Sequence, residues 1–160
     1  MPYYNQSTRQ VITDMGLGLR VDRDAEQLSI VAAPGDPFFD VHGLCLITAL
    51  IGVCTVSAGG GNNVFFRFNP DGTAATGDMT ATADLGTAAV DGGIHVLVGA
   101  ANVALSAASI GSSPIGASAG KGIVCYEGVI GLVADAALGT YKWRLFYLPL
   151  EDGAYVEVIP

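Results

Sequence analysis

The sequence predicts an all-β fold: a sandwich or barrel of short antiparallel strands with an extended N-terminal arm. Three observations predict it. Short apolar runs recur along the chain, separated by Gly, Pro, Asn and Asp turn chemistry. Val, Ile, Thr, Phe and Tyr, which suit a pleated half-buried surface, fill those runs. No stretch sustains a 3.6-residue apolar period between helix caps.

Residues 1–27 are the most polar stretch and end in Val21-Asp22-Arg23-Asp24-Ala25-Glu26-Gln27. They read as an N-terminal arm or peripheral segment that includes a short helical turn, and residues 28–160 as a single β domain. Residues 28–33 are a first strand, closed by Pro34-Gly35-Asp36-Pro37. Residues 39–57 hold one long bent strand or two strands. Gly59-Gly60-Gly61-Asn62-Asn63 is a loop, and residues 64–68 are a strand ended by the turn Asn69-Pro70-Asp71-Gly72. Residues 94–99, 103–110, 123–133, 141–148 and 154–159 complete the set, with Glu151-Asp152-Gly153 turning the last two into a hairpin. The clearest alternation lies in residues 141–148. Tyr141, Trp143, Leu145 and Tyr147 share one face, and Lys142, Arg144, Phe146 and Leu148 the other. Both faces are bulky, so cover on both sides is expected, with Trp143 as the core anchor.

Composition limits the function classes. Apolar residues are 51% of the chain and charged residues 14%, too apolar for a disordered protein. The net charge is −8, with seven scattered Lys and Arg. That excludes a phosphate-neutralising surface, so neither nucleic acid nor an anionic membrane is an expected partner. The run from 44 to 57 has 14 small or apolar residues, short of the roughly 20 a spanning helix needs, and reads as buried β structure. The odd set Cys45, Cys54 and Cys125 is no disulfide scaffold, and residues 1–6 carry no signal-peptide pattern. Folding in a reducing cytosol with buried free thiols is the expectation.

Catalytic and metal motifs are incomplete. Gly116-Ala117-Ser118-Ala119-Gly120 matches a nucleophile elbow, but His42 and His95 both precede Ser118, against the required order. Gly120-Lys121 lacks the first glycine and the hydroxyl of a P-loop, since Ile115 and Gly122 stand there. His42 and Cys45 are three apart, which on a strand points them to opposite faces, and no second ligand pair accompanies them. Glu127, Glu151, Glu157 and Asp135 are the only acids placed to suggest a glycosidase pair, and solvent-facing or turn roles account for them. No catalytic residue, metal or cofactor is assigned, and the expectation is a protein that is not an enzyme.

Charge distribution carries more. No Asp, Glu, Lys or Arg occurs in residues 41–66 or 92–120. Within the first stretch, residues 41–57 read as core strand. The second is mostly Ala, Ser and Gly, too small to fill a core and suited to close approach of another subunit. Val103, Leu105 and Ile110 are the candidate interface residues there, with Tyr3 and Tyr4 as anchors on the arm.

The Gly/Ala-rich strand Gly128-Val129-Ile130-Gly131-Leu132-Val133-Ala134 is followed by the aromatic strand Tyr141-Lys142-Trp143-Arg144-Leu145-Phe146-Tyr147-Leu148-Pro149-Leu150 and by Glu151-Asp152-Gly153. This stretch resembles the closing strands of small virion structural proteins of tailed bacteriophages, notably capsid decoration (cement) proteins. The resemblance implies a β-rich homo-oligomer, often a trimer, that sits on the major capsid protein and reinforces the head. It brings no catalytic residues, and it implies a place in the virion after assembly in the host cytoplasm. Turret, head-fibre and tail components share the same texture. The alternative outside the virion is a soluble carbohydrate-binding β-sandwich, with Tyr126, Tyr141 and Tyr155 as its aromatic platform.

Overall fold

The computed structural model describes residues 18–57, 59–72, 76–85, 93–96, 109–110, 122–137 and 139–160. They form ten strands of one antiparallel sheet: β1 (Leu19–Gln27), β2 (Val31–Val56), β3 (Asn63–Pro70), β4 (Gly77–Asp78), β5 (Ala83–Asp84), β6 (Gly93–Val96), β7 (Ser109–Ile110), β8 (Ile123–Ala134), β9 (Thr140–Pro149) and β10 (Tyr155–Val158). The all-β class stands. The strand order is β1-β9-β2-β8-β3-β4, with β10 and β6 also on β2, β5 on β3 and β7 on β6. Among the described residues, no helix is long and apolar enough to cross a membrane.

β2 organises the molecule. At 26 residues it is several times the usual strand length. Its first part pairs with β8 on one edge and β10 on the other; its second part pairs with β6 and β9. The hand-over lies where the register slips, between Val41 and Leu44 and between Ile47 and Ala49. Such bulges bend a strand and increase its twist. The sheet therefore folds over on itself into two facing layers. The Trp143 ring on β9 meets Phe66 on β3 at 4.9 Å and Phe38 on β2 at 6.4 Å, although β2 and β8 lie between β9 and β3 in the sheet order.

The core fills that fold. Phe38, Phe39, Val41, Ile47, Leu50, Phe66, Ile130, Tyr141, Trp143 and Leu145 are sealed from solvent. Adjacent Phe38 and Phe39 are both buried because the β2–β8 register slips between Pro37 and Phe39, which breaks strict alternation. Tyr141 donates its hydroxyl to the Leu85 carbonyl at 2.9 Å and so closes one end of the core.

Four expectations need correction. Pro34-Gly35-Asp36-Pro37 does not end a strand; it lies within β2. The pairing with β8 slips between Val31 and Asp36, so the two prolines, which cannot donate, sit where the ladder is already irregular. Residues 19–27 form strand β1 rather than an arm with a helical turn, and the sheet begins before residue 28. Their charges match those of β9: Asp22 is registered with Arg144, and Lys142 reaches Asp24 at 3.9 Å. The polarity that suggested an arm is that of an edge strand covering a charged neighbour. Residues 1–17 lie outside the described residues. Glu151-Asp152-Gly153 does not make a hairpin. β9 and β10 both run antiparallel to β2 and lie end to end along it, joined by an excursion in which Leu150 donates to the Leu44 carbonyl and Ala154 to that of Glu151. Finally, among the described residues β9 is sealed on one face and only partly covered on the other: Tyr141, Trp143, Leu145 and Tyr147 are buried, whereas Lys142, Arg144, Phe146 and Leu148 are half-exposed.

Candidate functional site

The outer face of the layer built by β8, β2, β9 and β10 carries the described surface that stands apart from ordinary polar exterior. Alternation along β2 sends Val41 and Cys45 inward and Asp40, His42, Leu44 and Leu46 outward. Register then sets the neighbours. Leu46 lies between Val124 and Leu148; Leu44 faces Tyr126, and its carbonyl accepts from Leu150. Two rows of apolar side chains result. Val124, Tyr126 and Leu150 are 58%, 55% and 48% exposed, and they adjoin one another through Leu46 and Leu44 rather than standing singly.

The same face continues into a polar cluster. Tyr155 pairs with His42 and Glu157 with Asp40. His42 and Asp40 are two apart on β2, as are Tyr155 and Glu157 on β10, so all four side chains share one face. The rings of His42 and Tyr155 stack at 4.3 Å and 19°. His42 Nε2 lies 3.1 Å from Glu157 Oε1 and 3.5 Å from Asp40 Oδ2.

Backbone strain borders the cluster. Gly43 has φ +70°, and a side chain there would collide with Glu151, whose Oε1 accepts the Leu44 N–H at 2.8 Å. Opposite, Glu127 has φ +36°, costly for a residue with a Cβ. Its carbonyl accepts the Asp71 N–H at 2.9 Å, which ties β8 to the turn after β3. The Glu127 carboxylate, followed by desolvation and Glu151, raises the Tyr126 hydroxyl above its usual range.

No protein-family model matches the chain, and no curated protein or solved structure matches it. Trp143 is fully buried in the core. Tyr3, Tyr4, Val103 and Leu105 lie outside the described residues, as does Ser118; Ile110 stands in β7 opposite Gly93, and its side chain lies outside the description. Of the proposed aromatic platform, Tyr126 and Tyr155 are exposed, but Tyr141 is sealed in the core and is removed from it. Asp135 serves a loop, accepting from the Asn63 N–H and Nδ2, both at 2.7 Å. Sequence reasoning missed the outer-face rows and the union of Asp40, His42 and Glu157. The signal for the first was Val124 and Tyr126 alternating about Cys125. The second depends on pairing across 115 residues, which no local pattern encodes.

Proposed function

We propose that this chain is a non-enzymatic structural protein of a tailed-phage virion, of the capsid decoration (cement) class, which docks on the major capsid protein or on copies of itself through the outer face of β8, β2 and β9. The observation that carries the reading is the pair of apolar rows, Val124–Leu46–Leu148 and Tyr126–Leu44–Leu150, on a protein with net charge −8. Burying exposed aromatic and aliphatic side chains is the main source of contact energy between subunits. A shell presents many equivalent sites, so modest contacts add through multivalency. The resemblance of residues 128–156 to phage virion proteins supplies the class.

The test is solution mass, by light scattering on a sizing column. The expected result is a discrete multiple of the 16.3 kDa chain that falls to the single chain in a V124D/Y126D double variant with an unchanged circular dichroism spectrum. A wild-type protein that stays single at high concentration and leaves phage heads undecorated refutes the proposal. A carbohydrate-binding module is favoured by one specific observation, the exposure of Tyr126 and Tyr155 on the same face. Retention on a glycan array, lost with Y126A and Y155A, would establish it instead.

A further inference from the structure

We propose that Asp40, His42 and Glu157 bind a first-row divalent cation, Zn²⁺ foremost, on the outer face where β10 joins β2. One ligand atom from each of the three lies within 4.8 Å of the others. Zinc bonds of about 2.0–2.2 Å in a tetrahedron place neighbouring ligand atoms about 3.3–3.5 Å apart. The 3.1 Å and 3.5 Å separations about His42 Nε2 already approach that spacing. One imidazole nitrogen with two carboxylate oxygens is a donor set for zinc and its neighbours rather than for a soft thiophilic metal.

Three further features point the same way. Stacking on Tyr155 holds the His42 ring with Nε2 toward both acids, the orientation that a second shell normally supplies to a metal-binding histidine. A single Nε2–H can satisfy one carboxylate well, whereas a cation satisfies both together with the ring nitrogen. The acids also have no basic partner among the described residues other than His42. Arg20 and Arg144 pair with Asp22, Arg23 with Glu26, Arg67 with Asp78 and Lys142 with Asp24. Side-chain exposures of 33%, 39% and 57% for Asp40, His42 and Glu157 leave an open side, so the remaining position goes to water. The cation would clamp β10 onto β2, which pair over four residues, Phe39–His42 with Tyr155–Val158.

The experiment is a calorimetric titration of the full chain, freed of any polyhistidine tag, with ZnCl₂. Co²⁺ is titrated in parallel to read its visible absorption. One equivalent per chain is expected. Affinity should fall at least tenfold in H42A and in E157Q, and remain unchanged in H95A, which alters the other histidine. Zn²⁺ should raise the melting temperature of wild type and not of H42A. Glu157 is exposed and Asp40 and His42 are only partly buried, so the variants should fold, and circular dichroism checks that they do. Absence of saturable binding at millimolar Zn²⁺, or equal affinity in wild type, H42A and E157Q, overturns the proposal.

Discussion

Gly52 and Trp143 are registered opposite each other on β2 and β9, and the indole lies where a Gly52 side chain would be. A glycine in a strand interior normally weakens it; here the missing Cβ makes room for the largest side chain of the core. G52A should therefore cost about 1–3 kcal/mol by overpacking, and W143A about 3–5 kcal/mol by leaving a cavity, both read from denaturant midpoints. Trp143 Nε1 is buried and has no hydrogen-bond partner among the described residues, so W143F should cost less than W143L. Burial pushes the Cys125 thiol up to about 12, with Cys45 adding to the shift, and burial followed by Cys54 also raises the Tyr141 hydroxyl. Both folded values lie above the unfolded ones. The stability they contribute is thus full below about pH 8.5, the ordinary thiol value, and is lost as pH rises toward 12. Urea midpoints should be level across neutral pH and fall progressively between pH 9 and pH 11. An alkaline plateau would contradict this.

At the scale of elements, Arg23 explains how a polar edge strand belongs to the fold. Its guanidinium lies 4.2 Å from the centre of the Phe38 ring, pairs with Glu26 at 2.6 Å, donates to the Phe38 carbonyl at 3.3 Å and also donates to the Ile159 carbonyl. One side chain thus ties β1, the start of β2 and the segment after β10. R23L removes a charged donor from buried acceptors and should lower stability by about 2–4 kcal/mol in urea unfolding. The strands β3, β8 and β9 were legible to within a residue or two, because their apolar runs are bounded by turn chemistry. β1 was not, because two of its five charges, Asp22 and Asp24, are balanced by another strand. The hairpin expected after β9 was not, because Glu151-Asp152-Gly153 makes a tight turn whether the chain then reverses or resumes its course. Only the neighbouring edge of β2 decides between the two.

For the whole molecule, one strand serving both layers means that neither layer has a complete set of partners alone. Unfolding should be a single transition, with far-ultraviolet and near-ultraviolet circular dichroism coincident along a urea gradient. Two separated transitions would show that the layers are independent. Of the uncharged residues 41–57, expected as core strand, Val41, Cys45, Ile47, Ala49, Leu50 and Cys54 are buried in β2, whereas His42, Leu44 and Leu46 face outward and Val56 is exposed. The surface proposed for docking was not legible, because it combines short alternations from three strands whose adjacency is a property of the sheet order.

The central position of β2 also has a consequence during synthesis. Its residues leave the ribosome long before the strands that flank them. About 90 residues separate the end of β2 from the end of β9, an interval of roughly 5–20 s at ordinary translation rates. Until β6 and then β8 follow, a long β-prone segment whose only charges are Asp36 and Asp40 has two open edges and no companion, the condition in which nascent chains pair with one another. Yield of intact protein should therefore depend on how fast the chain is made and on which holding chaperones attend it, more than on the stability it eventually reaches.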